Sequence, residues 1–106
     1  MVAAALSGAL AVAAGAFGAH GASGDAARWL ATGGHYQLVH AVAALVALRL
    51  EARGPGWLFV AGALVFAGSL YLMAAGLPRW LGAVTPVGGV LMIAGWLWLA
   101  RKAVRG

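Results

Sequence analysis

Hydrophobic positions in this chain run in blocks rather than in alternation. Four largely apolar stretches, at about residues 2–19, 34–50, 56–77 and 80–100, are separated by short segments that hold nearly all of the charges. Crossing about 30 Å of hydrocarbon takes roughly 20 helical residues at about 1.5 Å each. The pattern therefore predicts an all-α, integral membrane four-helix bundle, a single transmembrane domain over residues 1–106.

The first stretch has Ser7 as its one polar side chain, and the lack of Lys or Arg before it argues for a retained helix rather than a cleaved signal. Between the first two stretches, Ser23 or Asp25 is placed to cap a short interfacial helix through Ala26–Leu30 with Trp29 at headgroup level, which Thr32-Gly33-Gly34 would break. The second stretch is the most polar, with His35, Gln37 and His40 near its start and Arg49, which can snorkel, near its end. Glu51 to Gly56 reads as a turn, and Pro78-Arg79 as a tight one. Pro86 falls inside the fourth stretch, which predicts a kink there.

Composition narrows the class. Of 106 residues 64% are hydrophobic and 8% charged, more apolar surface than a soluble fold of this size can hide. Cysteine is absent, which removes disulfides and thiolate chemistry. The net charge of +5 sits at helix ends with no basic stripe, so anionic phospholipid at the cytoplasmic face is the expected partner and nucleic acid is not. Arg49, Arg53, Arg101, Lys102 and Arg105 fall on one side of a four-span topology, and Arg28 and Arg79 on the other. The positive-inside rule then predicts both termini in the cytoplasm. Trp29 and Trp80 fall at the expected outer boundary, and Trp57, Trp96 and Trp98 near the inner one.

Helices in lipid associate by close packing, so small residues at helical spacing mark contact faces. Ala4, Gly8, Ala11, Gly15 and Gly18 form such a face on the first helix, Gly82, Pro86 and Gly89 on the fourth, and Gly62 and Gly68 thin the third.

The polar side chains within the spans are placed by this topology in one layer of the outer leaflet. They are His20, Tyr36, Gln37, His40, Ser69, Tyr71 and Thr85. Tyr36 and Gln37 lie one helical turn before His40 and share its face, whereas Ser69 and Tyr71 point in different directions. Polar and ionisable groups in lipid must be paired or functional. For His20 the plain alternative is a helix-end histidine, for Gln37 and His40 interhelical hydrogen bonding, and for His35 a solvated interfacial position. Glu51 reads as a surface charge and Asp25 as a cap.

Five ordered motifs carry a resemblance: Gly15-Ala16-Phe17-Gly18-Ala19-His20-Gly21; Tyr36-Gln37 with His40-Ala41; Phe66-Ala67-Gly68-Ser69-Leu70-Tyr71-Leu72; Thr85-Pro86-Val87-Gly88-Gly89; and Gly95-Trp96. Over about Gly15 to Trp96 the chain resembles the bacterial inner-membrane family known as domain of unknown function 423, itself similar to the eukaryotic transmembrane protein 256 family. The resemblance implies a four-helix, multi-pass protein of the bacterial inner (cytoplasmic) membrane and carries no activity with it.

Three functions are compatible with these residues. The first is a non-catalytic accessory or assembly subunit of a larger membrane complex, or a homo-oligomer, held by small-residue faces. The second is a binding module in which the outer-leaflet residues line a pocket for a lipid, quinone, metal or haem, with His20 and His40 as an axial haem pair. The third is a small oligomeric transporter or channel, disfavoured because no Lys, Arg or carboxylate lies in the membrane core. A nucleophile-base pair, a phosphate-binding loop and paired carboxylates are all missing from the sequence, so no enzyme activity is expected. No cofactor is specified by the residues.

Overall fold

In the computed structural model, which describes residues 1–105, the chain forms α1 (Val2–His20), α2 (Gly24–Arg49), α3 (Arg53–Ala74), a 3-10 segment (Arg79–Ala83) and α4 (Thr85–Arg105). The helices run up and down in order. Against α2, Gly18 meets Leu30 while Gly8 meets Ala41, so α1 and α2 are antiparallel. Gly62 meets Met92 and Gly95 meets Phe59, so α3 and α4 are too. The pair α2–α3 is central, with α1 packed chiefly on α2 and α4 chiefly on α3. The result is a flattened bundle of 46 × 25 × 17 Å.

By length and composition α1, α3 and the stretch Arg79–Arg105 can each cross a membrane. α2 is more polar, but it lies antiparallel between α1 and α3, so it crosses wherever they do. Its central place explains its composition, because a helix with neighbours on several sides can direct polar side chains away from lipid.

The interfacial helix and its glycine break do not exist as separate features: α2 is continuous from Gly24 to Arg49. The glycines that read as a breaker are packing positions. A Cβ on Gly34 would lie 3.0 Å from the Ala11 carbonyl oxygen, and one on Gly33 would lie 2.7 Å from the Tyr71 ring. Close approach of α1 and α3 at these two points outweighs the helix propensity lost, roughly 1 kcal/mol per glycine.

The expected kink at Pro86 is also absent. Pro86 is the second residue of α4, where the backbone donor has no intrahelical partner to lose. Pro55 likewise sits buried in the first turn of α3, so the Glu51–Gly56 turn is shorter than expected. α4 runs on through Arg101, Lys102 and Arg105 instead of stopping near residue 100. Its contact face is Gly88, Met92 and Gly95, not Gly82, Pro86 and Gly89. Gly68 meets nothing within 4 Å. The α1 face is as expected: Ala4 and Ala11 are buried, and Gly8 and Gly18 contact α2.

Two matching caps close α2 and α3. After α3, Leu77 N–H donates to Leu72 O and Gly76 N–H to Met73 O, with Gly76 at φ 101°. After α2, Ala52 N–H donates to Ala47 O and Glu51 N–H to Leu48 O, with Glu51 at φ 62°. This is the Schellman arrangement, and its left-handed position favours glycine. Glu51→Gly is therefore expected to stabilise the bundle by about 1 kcal/mol, read as a later midpoint in a detergent unfolding titration. An earlier midpoint would show that the Glu51 side chain contributes more than its backbone strain costs.

Candidate functional site

The polar side chains within the helices divide among three interhelical seams. Gln37 is 0% exposed and joins three helices. Its Nε2 donates to Ser7 Oγ on α1 at 3.0 Å, and Tyr71 Oη on α3 donates to its Oε1 at 2.6 Å. Ser69, two residues before Tyr71, turns to the other side of α3. It donates to Phe66 O and is hydrogen-bonded to Thr85 at the start of α4. The different directions expected for Ser69 and Tyr71 are what the structure has, and both find partners.

His40 occupies the third seam. Trp96 Nε1–H, a group that can only donate, points at His40 Nε2 at 3.0 Å. Nε2 must then be the acceptor, so the proton sits on Nδ1, which donates to Tyr36 O at 2.7 Å. The ring is neutral with both nitrogens in use, and Phe59 and Trp96 pack against it at centroid distances of 5.6 and 5.9 Å. Nitrogen-15 shifts of the labelled imidazole are expected to show the Nδ1–H tautomer, and Trp96→Phe to shift Nε2 strongly. A doubly protonated ring in the wild type would contradict this arrangement.

The shared face expected for Tyr36, Gln37 and His40 is thereby split. At about 100° per residue, Tyr36 and Gln37 lie on either side of His40. Gln37 turns to α1 and α3, while Tyr36 is 44% exposed and rests against Phe66 and His40. His20 ends α1 as an exposed residue beside the turn into α2. His40 lies sixteen residues into α2, roughly 24 Å along its axis from that end, so the two histidines do not form an axial pair. Their common depth was expected only because α2 was taken to begin at residue 34. Among the described residues no group of three His, Cys, Asp or Glu is placed to hold a metal.

At the bundle end near His20, Asp25 does not cap α2. Its carboxylate takes Arg28 of its own helix and Arg79 from the α3–α4 connection, the latter at 2.9 Å. The Arg79 guanidinium also lies 5.2 Å from the centre of a Trp29 ring. Both cations at this end are tied to one acid and one indole.

Two partners escaped the sequence. Ser7 was visible as the sole polar side chain of its stretch, but its distance from the other polar residues along the chain hid the pairing. Trp96 was assigned to the inner boundary, yet it lies mid-way along α4 on His40.

The polar residues of these seams fall largely within a segment that matches a known family model. Residues 14–89 match the model described as "Protein of unknown function (DUF423)". The chain belongs to this family. It is 41% identical to the UPF0382 membrane protein YwdK of Bacillus subtilis, over 91% of this chain and 88% of the relative. It is 38% identical to the UPF0382 inner membrane protein YgdD of Escherichia coli K12, over 99% of this chain and 88% of the relative. No solved structure matches it. Family membership agrees with the fold: a helical, multi-pass membrane protein. Gln37, His40, Ser69, Tyr71 and Thr85 lie inside the matched segment, while Ser7 and Trp96 lie outside it.

Proposed function

We propose that this protein is a non-catalytic accessory or assembly subunit of the bacterial inner membrane, with both termini cytoplasmic, that docks on another membrane protein through α1. The observation carrying this reading is a second small-residue face on α1. Ala5, Ala9, Ala13 and Ala16 recur at intervals of four, four and three, all exposed and turned away from the face that seats α2. Alanine gives such a helix little to gain from lipid, but it lets a partner backbone approach closely. The polar groups support the same reading, since Gln37 is occupied by Ser7 and Tyr71, His40 by Trp96 and the Tyr36 carbonyl, and Ser69 and Thr85 by each other, all within the bundle itself. A relative named as an inner membrane protein supports the location. The excess of cations at the ends of α2 and α4 supports the orientation.

The test is native electrophoresis of gently solubilised membranes. The wild-type chain is expected to migrate in an assembly well above its own 10.6 kDa, and Ala9→Leu/Ala13→Leu to release it while leaving its helicity intact. Unchanged migration of the double variant would remove α1 as the docking face. A wild-type chain that migrates alone, even after cross-linking in intact membranes, would overturn the subunit reading.

A further inference from the structure

The seam between α2 and α4 carries a row of surface clefts and is crossed once, by the Trp96–His40 hydrogen bond. Both helices begin at the Asp25 end and finish at the cationic end, so they run parallel, and the close α3–α4 packing leaves a groove between them. Three clefts follow one another down it, of about 290, 320 and 440 Å³. The first two meet at Trp96, whose indole reaches across to His40, and the second and third meet at Leu99, so the clefts are neighbours along one seam. Tyr36, Ala43 and Leu50 mark its course on α2, and Gly89, Trp96 and Ala103 on α4. From Tyr36 to Leu50 the groove covers roughly 20 Å of helix.

The second cleft is lined by apolar side chains and Trp96, the first adds Tyr36 and His40, and the third opens between Lys102 and Glu51. Lys102 is shared with a further depression that also holds Arg101 and Arg105 beside Trp98. Both ion pairs among the described residues belong to Asp25 at the opposite end. At the other end the described residues carry Arg49, Arg53, Arg101, Lys102 and Arg105 against one acidic side chain, Glu51, which lines the third cleft beside Lys102. A long apolar trough ending in clustered cations has the chemistry of one ligand class: an acyl chain attached to an anionic headgroup.

We propose that the α2–α4 groove seats one acyl chain of an anionic phospholipid, with its phosphate held by Lys102, Arg101 and Arg105. Charge places the headgroup, and the clefts on the Lys102 side of Trp96 accommodate the chain. This site is separate from the α1 docking face and stands or falls independently of it.

The experiment is native mass spectrometry of the full chain released from detergent with defined lipids. Dioleoylphosphatidylglycerol is expected to be retained roughly tenfold better than dioleoylphosphatidylcholine. The single-chain lysophosphatidylglycerol is expected to compete with it, and glycerol 3-phosphate to fail to compete. Arg101→Gln/Lys102→Gln/Arg105→Gln is expected to equalise the two lipids. Ala43→Phe, which fills the trough, is expected to lower retention of both with helicity unchanged by circular dichroism. Equal retention of the two lipids by the wild type would overturn the proposal. So would displacement by glycerol 3-phosphate, which would mean a headgroup contact without a seated chain. If Ala43→Phe fails to fold, the wild-type competition between the one-chain lipid and glycerol 3-phosphate still decides the matter.

Discussion

Gly88→Ala is expected to unfold the α3–α4 half of the bundle, with a loss of about 3 kcal/mol in a detergent unfolding titration. A methyl group at this position would press into the backbone nitrogen of Phe66 and lie 2.6 Å from the Gly62 carbonyl oxygen. Neither obstacle is the end of a flexible side chain, so the helices must move apart. Separation would loosen Gly95 against the Phe59 ring and with it the Trp96–His40 contact. Gly68→Ala, on the same pair of helices but with nothing within 4 Å of the added methyl, is the control. It is expected to be neutral or to stabilise by up to about 1 kcal/mol through helix propensity. Equal effects of the two substitutions would mean that Gly88 is not the point of closest approach.

Gln37→Leu carries the second large effect, about 2 kcal/mol of destabilisation, because it strands two hydroxyls at once. Tyr71 loses its acceptor and Ser7 its donor, each within an apolar seam. An unsatisfied polar group costs more than a made hydrogen bond contributes, whereas removing all partners together costs little. The triple variant Ser7→Ala/Gln37→Leu/Tyr71→Phe is therefore expected to recover to within about 1 kcal/mol of the wild type. Such recovery identifies the Ser7–Gln37–Tyr71 network as internal glue. A triple variant as unstable as Gln37→Leu would mean that the side chains act through shape rather than through their hydrogen bonds.

How much of this was legible in the residues depends on the kind of interaction. The bundle, its antiparallel order and the buried face of α1 follow from apolar blocks and small-residue spacing, because both are local properties of one helix. Gly33 and Gly34 were misread for the complementary reason. The sequence shows a cost in helix propensity at these positions, but not the Tyr71 ring and Ala11 carbonyl that make their missing side chains necessary. Pro86 was misplaced because the preceding residues form a 3-10 segment, which moved the proline into the first turn of α4. Of the candidate polar residues, the sequence could say that Gln37 and His40 needed partners but not which. Those partners, Ser7 and Trp96, are thirty and fifty-six residues away along the chain. His20 was grouped with them by depth alone and lies at the far end of α1, while Tyr36, grouped by its spacing from His40, rests against that ring but leaves its own side chain half exposed.

The polarity of α2 bears on how the chain is made. When α2 leaves the ribosome, α1 and its Ser7 have already emerged, but Tyr71 and Trp96 have not. A solitary α2 in lipid would carry the Gln37 amide and the His40 imidazole uncompensated, so it has reason to enter as a hairpin with α1 and to wait for α3 and α4. Insertion and tertiary assembly then become one coupled event during synthesis. A chain truncated after α2 would leave its most polar helix half satisfied and exposed to membrane quality control.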